Sequence, residues 1–452
     1  MTGLAPRSLP WPYEHVDGWL VCQGVRVADI AKEFGTPCYI YSEAAILKAY
    51  EVLACPDSKG RTARICYAVK ANSNLAILRL LARAGAGFDI VSAGELQRVV
   101  AAGGRADRIV FSGVGKTVQE LRFALEEGVG CINVESLAEL QQLESVAAGL
   151  KVTAPISIRV NPDIDAKTHP YISTGLKENK FGLGLDDALE AYRRALKSRH
   201  LRIVGIDCHI GSQITSLQPF RDATQRLLAF ATELHQLGIE LVHIDLGGGL
   251  GICYRNEHPP SAEELKNLGL QMVADWAAAT GCRTPEVVFE MGRAIVGASG
   301  LLLSRVLLLK PSSDPAAKHF AIVDAAMNDL MRPSLYQAWH DLFLLQPCQA
   351  NAQAQTWDVV GPVCETGDWL ARDRSLALSE GDLLGFASAG AYGSTMGSNY
   401  NSRARPPEVL VRQNGELSLI RRRETFEELI ELEKIPKDLW APQPDVTAKP
   451  PY

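Results

Sequence analysis

Ile65-Cys66-Tyr67-Ala68-Val69-Lys70-Ala71-Asn72 is the stretch on which the reading of this chain turns. An uninterrupted apolar run of this length predicts a buried strand. Lys70 stands at its exit. Apolar walls at such a place lower the pKa of an amine, and a neutral amine can attack a carbonyl carbon. A lone lysine at a strand end is ordinarily a solvated one, so the case for Lys70 depends on what surrounds it.

Outward from this stretch the pattern repeats. Short apolar runs at 65–69, 87–91, 108–112, 131–134, 156–160, 203–208, 241–246 and 287–290 alternate with longer amphipathic segments, and a further helix is expected at 43–54. The helical period is clearest where Leu217, Phe220, Thr224, Leu227, Leu228, Ala231 and Leu234 share one stripe, with Gly238 as the expected helix end. Strand–helix alternation gives a parallel sheet, either doubly wound or closed. The residues that follow the runs decide between the two: Lys70, Ser92, Ser112, Glu135, Asn161, His209, Gly247 to Gly249 and Glu290. Nearly all are reactive, hydrogen-bonding or glycine, and closure would gather them on one ring at the carboxyl ends of the strands. The reading is therefore α/β: a (β/α)8 TIM barrel over 38–298. Beyond residue 300, runs at 301–309, 319–323, 356–360 and 408–412 are separated by turn clusters. They predict a second, β-rich domain over 299–435, sandwich or Greek-key-like, that also recruits residues 1–37. The proline-rich stretch 436–452 is expected to be a flexible tail.

Composition narrows the function. The chain has 452 residues, 47% of them hydrophobic, and a net charge of −6 with both signs dispersed, which argues against a nucleic-acid binder. No apolar run is long enough to span a bilayer, and Met1–Pro12 lacks an apolar signal core, so a cytoplasmic protein is expected. The ten cysteines include no CxxC pair and no Cys/His group at zinc spacing, so no metal site is expected. Most sit in apolar runs. Cys364 differs, lying in the polar, turn-rich Gly361-Pro362-Val363-Cys364-Glu365-Thr366-Gly367-Asp368.

Gly247-Gly248-Gly249-Leu250-Gly251 follows a strand, as an anion-binding turn does. It matches neither the dinucleotide fingerprint, because Ile252 replaces the last glycine, nor a phosphate loop ending in Gly-Lys-Ser/Thr. Gly211-Ser212 supplies a second cradle and favours a phosphate group. Glu290 closes the last strand beside Met291-Gly292-Arg293. Either it pairs with Arg293 or it holds the proton of a cationic ring nitrogen. His209 offers a flat face for stacking on such a ring. A strand-end lysine, a phosphate cradle, a flat histidine and a buried carboxylate together describe the surroundings of pyridoxal 5′-phosphate.

These motifs resemble the diaminopimelate decarboxylases, within the alanine-racemase-like pyridoxal-phosphate enzymes. The resemblance runs from about Asp17 to Val411. It is carried by Tyr67 to Asn72, Phe88-Asp89-Ile90-Val91-Ser92-Ala93-Gly94-Glu95-Leu96, His209-Ile210-Gly211-Ser212-Gln213, Asp245 to Gly249, Glu290 to Arg293, Asn328 to Tyr336, Val363 to Asp368 and Gly390-Ala391-Tyr392-Gly393. It implies that Lys70 carries the cofactor, that His209 stacks on its ring, and that Asp89, Ser212, Gly247, Gly248, Gly249, Glu290, Met291, Gly292, Arg293 and Tyr392 surround it. Arg293, Arg332, Tyr336, Glu365 and Tyr392 would grip the substrate, and Cys364 would protonate the carbon that loses CO2. The resemblance further implies that Cys364 and Glu365 reach the neighbouring subunit's site, hence a homodimer with shared active sites. The family usually has proline where Met291 stands, which predicts a looser loop here.

The implied reaction is decarboxylation of meso-2,6-diaminopimelate to L-lysine, the last step of lysine biosynthesis. Its substrate keeps a distal carboxylate and ammonium that need partners; two arginines suit the first and Glu365 the second. Decarboxylases of ornithine, arginine or a carrier-tethered amino acid are the rival readings on the same scaffold. A racemase or a non-catalytic pyridoxal-phosphate carrier fits the Cys364 loop less well.

Overall fold

The protein was analysed as a computed structural model, which describes residues 12–165, 174, 179–314, 317–347 and 353–440. In chain order its strands begin with β1 (Tyr13–Val16), β2 (Trp19–Cys22), β3 (Val25–Arg26) and β4 (Cys38–Ser42). Eight parallel strands follow: β5 (Ala63–Ala68), β6 (Gly87–Ile90), β7 (Ile109–Phe111), β8 (Cys131–Val134), β9 (Ala154–Arg159), β10 (Leu201–Asp207), β11 (His243–Asp245) and β12 (Glu286–Met291). They close into a barrel when β12 pairs with β5, with Phe289 opposite Ile65 and Glu290 opposite Cys66. Each sits at the position the apolar runs foretold.

A helix follows each of the first seven barrel strands. The eighth place on the outer ring is taken by a helix that precedes β5, Glu43–Ala54, which packs between Leu75–Arg83 and Ala262–Thr280. Its ends show why it starts and stops there. Ser42 Oγ accepts from Ala45 N at 3.1 Å, a side-chain cap for an otherwise orphaned amide. At the other end Lys266, 1% exposed, donates to the carbonyls of Val52 and Cys55, both at 2.9 Å. The amphipathic segment around 217–237 is a helix over Gln218–Gln236, and Gly238 leaves it at φ 78°.

After the barrel come β13 (Gly300–Lys310), β14 (His319–Val323), β15 (Leu342–Leu344), β16 (Gln355–Val360), β17 (Trp369–Leu376), β18 (Leu383–Phe386), β19 (Glu408–Val411) and β20 (Leu417–Arg421). They form, with β4, a nine-stranded mixed sheet along the path β17-β16-β14-β13-β4-β19-β20, with β18 joined to β13 and β15. β4 is therefore a correction to the expected barrel range of 38–298: it pairs in parallel with β19 and antiparallel with β13. Its sequence, Cys-Tyr-Ile-Tyr-Ser, is buried on both faces, so hydrophobicity alone could not tell which sheet it joins. The N-terminal strands form their own three-stranded sheet. Its Tyr13, Leu20 and Cys22 share a core with Leu301, Leu303, Leu345 and Val409. Of the expected tail, residues 441–452 lie outside the described residues.

Candidate active site

The site forms at the carboxyl ends of the barrel strands. β5 ends at Ala68, and a single 3-10 turn, Val69–Ala71, lifts Lys70 above the strand. Its Nζ lies 2.5 Å from Oδ2 of Asp89, on the adjacent β6. Asp89 is fully buried and its Oδ1 has no partner. Burial pulls the Lys70 amine down, but Asp89, Glu290 and Tyr392 outweigh it and hold the pKa above the ordinary lysine range. This corrects the expectation from the sequence: the amine faces carboxylates as well as apolar walls, and the charges win.

His209 leaves β10 two residues after its end. Its Nδ1 accepts from Gly248 N at 3.1 Å, which places the ring proton on Nε2. Burial, with Arg159 and Lys70 nearby, pushes its pKa well below the usual imidazole value. The ring is a neutral plate at the cavity wall.

Glu290, on β12, is not paired with Arg293. Its Oε1 accepts from Ser112 Oγ at 3.0 Å and Asn133 Nδ2 at 3.4 Å. Burial first, then Asp89 and Asp207, raise its pKa well above the ordinary carboxylate range. Carboxylate oxygens of Asp207, Asp245 and Glu290 lie within 4.8 Å of one another, all buried. Arg159 offsets part of this charge, 2.8 Å from Glu135 and 3.9 Å from Asp207. Like charges this close cannot all ionise, so the group retains protons.

The glycines are a matter of contact. A Cβ on Gly248 would lie 1.8 Å from the Glu290 carbonyl oxygen, and one on Gly249, whose φ is +104°, would lie 2.1 Å from that of Gly211. Only glycine lets these backbones close up, and Gly247 N donates to Asp245 Oδ1 at 2.9 Å. Met291 is the last residue of β12, opposite Tyr67 and 1% exposed.

Arg293 donates from Nη1 to Tyr254 Oη at 2.6 Å and from Nη2 to Ser212 Oγ at 3.1 Å, and lies 4.9 Å over the Tyr392 ring. Arg332 lies 4.5 Å over Tyr254. Both arginines are 6% exposed, and neither is within ion-pair range of a carboxylate among the described residues. Together with Lys70, His209, Ser212, Gly249, Glu290, Met291, Gly292, Tyr336 and Tyr392 they line one cavity of about 450 Å³.

Cys364 and Glu365 are not part of it. Both are exposed, on the turn between β16 and β17. The turn is nonetheless fixed: Asp368 accepts from Met327 N at 2.6 Å and Val363 N at 2.7 Å, Ser334 Oγ donates to Gly367 O at 2.6 Å, and Tyr400 Oη donates to Glu365 Oε1. The sequence reading missed Asp207, Asn133 and Tyr254, and gave Asp245 no role of its own. Asp207 and Asp245 carried a signal, a charge inside an apolar run; Tyr254, in a loop, carried none.

The pyridoxal-binding domain of the pyridoxal-dependent decarboxylases matches residues 50–297. The diaminopimelate decarboxylase of Pseudomonas aeruginosa is 54% identical over 418 residues, 92% of this chain and 97% of that protein. This chain belongs to the diaminopimelate decarboxylases. Among solved members, that of Helicobacter pylori complexed with L-lysine is 43% identical with a TM-score of 0.83, over 90% of this chain and 99% of that one. That of M. jannaschii, in complex with L-lysine, is 36% identical with a TM-score of 0.89, over 95% and 99%. The cofactor is pyridoxal phosphate, and the residues fit it: an amine at the cavity floor, a flat neutral ring, a buried carboxyl and a glycine cradle that a Cβ would fill.

Proposed function

We infer that the chain decarboxylates meso-2,6-diaminopimelate to L-lysine and CO2, as a cytoplasmic homodimer with shared active sites. The observation that carries the substrate is the pair Arg293 and Arg332, buried at one cavity without a carboxylate partner among the described residues. An uncompensated buried charge is costly, and a substrate carboxylate that accepts from a guanidinium relieves that cost. Ornithine and arginine have no second carboxylate to offer once their reacting end is engaged.

Pyridoxal phosphate, when bound, supplies the electron sink for the pair left behind as CO2 departs. Lys70 would hold the cofactor. His209 would offer its flat face to the ring, and Glu290, with a pKa raised by burial and by Asp89 and Asp207, would keep a proton at the ring nitrogen. Ser212, the glycines 247–249, Gly292 and Tyr392 would hold the phosphate. Arg293, Arg332 and Tyr336 grip the distal amino-acid head. Cys364 of one subunit, presented with Glu365 on the pinned turn, enters the other subunit's cavity and delivers a proton to the carbon that lost its carboxylate. Glu365 meets the distal ammonium.

Purified protein saturated with the cofactor should release L-lysine and CO2 in equal amounts from meso-diaminopimelate. It should act far more slowly on ornithine and arginine. Equal turnover of ornithine would overturn the substrate assignment.

A further inference from the structure

His340 lies one layer behind the cavity wall and is fully buried. Its Nδ1 is 2.7 Å from the Ala387 carbonyl oxygen. A carbonyl can only accept, so Nδ1 carries the proton and Nε2 is left with a lone pair. That lone pair accepts from Arg332 Nη1 at 2.9 Å. The imidazole does not depend on Arg332 for its place. Arg374 Nη2 donates to the His340 carbonyl at 2.8 Å, and the neighbouring Trp339 ring is flanked by Arg255 at 4.0 Å and Arg374 at 3.0 Å. Burial and Arg332 hold the imidazole well below its ordinary pKa, so it remains a neutral acceptor.

A buried arginine is ordinarily paired with a carboxylate. Arg332 instead has a neutral acceptor behind it and the Tyr254 ring beside it. We propose that His340 is a positioning residue for substrate selection: it aims the Arg332 guanidinium into the cavity without cancelling its charge, which reserves that charge for a ligand bearing a distal carboxylate. Aspartate or glutamate at 340 would fix the arginine more firmly and remove the charge the ligand needs. This rests on the reading above that Arg332 meets the distal carboxylate.

The test compares His340→Glu and His340→Gln as holoenzymes. Steady-state kinetics with meso-diaminopimelate are measured alongside inhibition by L-lysine, which keeps the distal head, and by 1,5-diaminopentane, which has no carboxylate. His340→Glu should raise KM and the L-lysine inhibition constant by about 10–100-fold, the worth of one charged hydrogen bond. It should leave kcat and the diaminopentane constant nearly unchanged. His340→Gln keeps a neutral acceptor and should stay near the parent in all of these. Should His340→Glu not accumulate as folded holoenzyme, His340→Leu takes its place, and it must raise KM relative to His340→Gln. A parental KM in the glutamate or leucine variant overturns the proposal, as does equal weakening of L-lysine and diaminopentane. Arg332→Gln separates the two layers. If it leaves L-lysine binding intact, the reading of Arg332 is wrong; if it weakens L-lysine while His340→Glu does not, only the role of His340 falls.

Discussion

The barrel mouth and the Gly361–Asp368 turn are both built with care, but for opposite ends. At the mouth, Lys70 follows β5, His209 follows β10, and Glu290 and Arg293 stand at the end of β12; all four share one cavity. At the turn, Asp368, Ser334 and Tyr400 hold the backbone and Glu365 in place, yet Cys364 and Glu365 are exposed and do not line that cavity. On the function proposed above, the first region works within its own subunit, and the second presents a thiol and a carboxylate to the cavity of a second copy.

The strongest way to break this contrast is to disable each region separately. Lys70→Ala should lower kcat by at least roughly 10³-fold, because it removes the amine proposed to hold the cofactor. Cys364→Ala should lower it by ~10²–10⁴-fold, the usual worth of a proton donor, with cofactor content unchanged. Mixing the two inactive variants and allowing subunit exchange should restore about a quarter of parental activity, since half the dimers are mixed and each has one intact site. No recovery on mixing, with exchange verified by labelled subunits, would place both residues in the same subunit's site.

Stability gives a second contrast. Gly248→Ala drives a methyl into the Glu290 carbonyl and should cost ~1–3 kcal/mol, read as a lower denaturant midpoint. Gly367→Ala meets nothing within 4 Å, and should change stability by less than about 0.5 kcal/mol. A large loss there would show the turn to be more constrained by its own chain than described.

The smallest effect concerns Lys70. Asp89→Asn removes the largest of the influences that raise the amine's pKa. The pKa should fall, so more of the amine is neutral at pH 8. Capture of pyridoxal phosphate by the cofactor-free variant should then be faster than in the parent at that pH, followed by absorbance, with the difference fading as pH rises. A slower or unchanged capture would mean that Asp89 orients the amine more than it protonates it.

The barrel was legible because its strands are buried on both faces, so each appears as a short apolar run, and because reactive residues follow nearly every one. Lys70, His209, Glu290 and the glycines were found by that regularity. Cys38–Ser42 was harder: its five residues are as apolar as a barrel strand, and the partner that claims it, β19, lies more than 360 residues downstream. Tyr254 and His340 were not legible at all, since a loop tyrosine and a loop histidine have no periodicity to betray them.

The sequence by itself determined the order of the barrel strands and helices and the family, and it singled out Lys70 as the strand-end amine, because these follow from local pattern and from motifs contiguous in the chain. Tertiary structure alone decided that Glu290 answers to Ser112 and Asn133 and not to Arg293, that three carboxylates crowd one spot, and that His340 stands behind Arg332. The physical reason is that charge and hydrogen-bond partnerships depend on distance in space and on burial. Barrel closure sets both, by bringing together side chains whose separation along the chain says nothing of their contact.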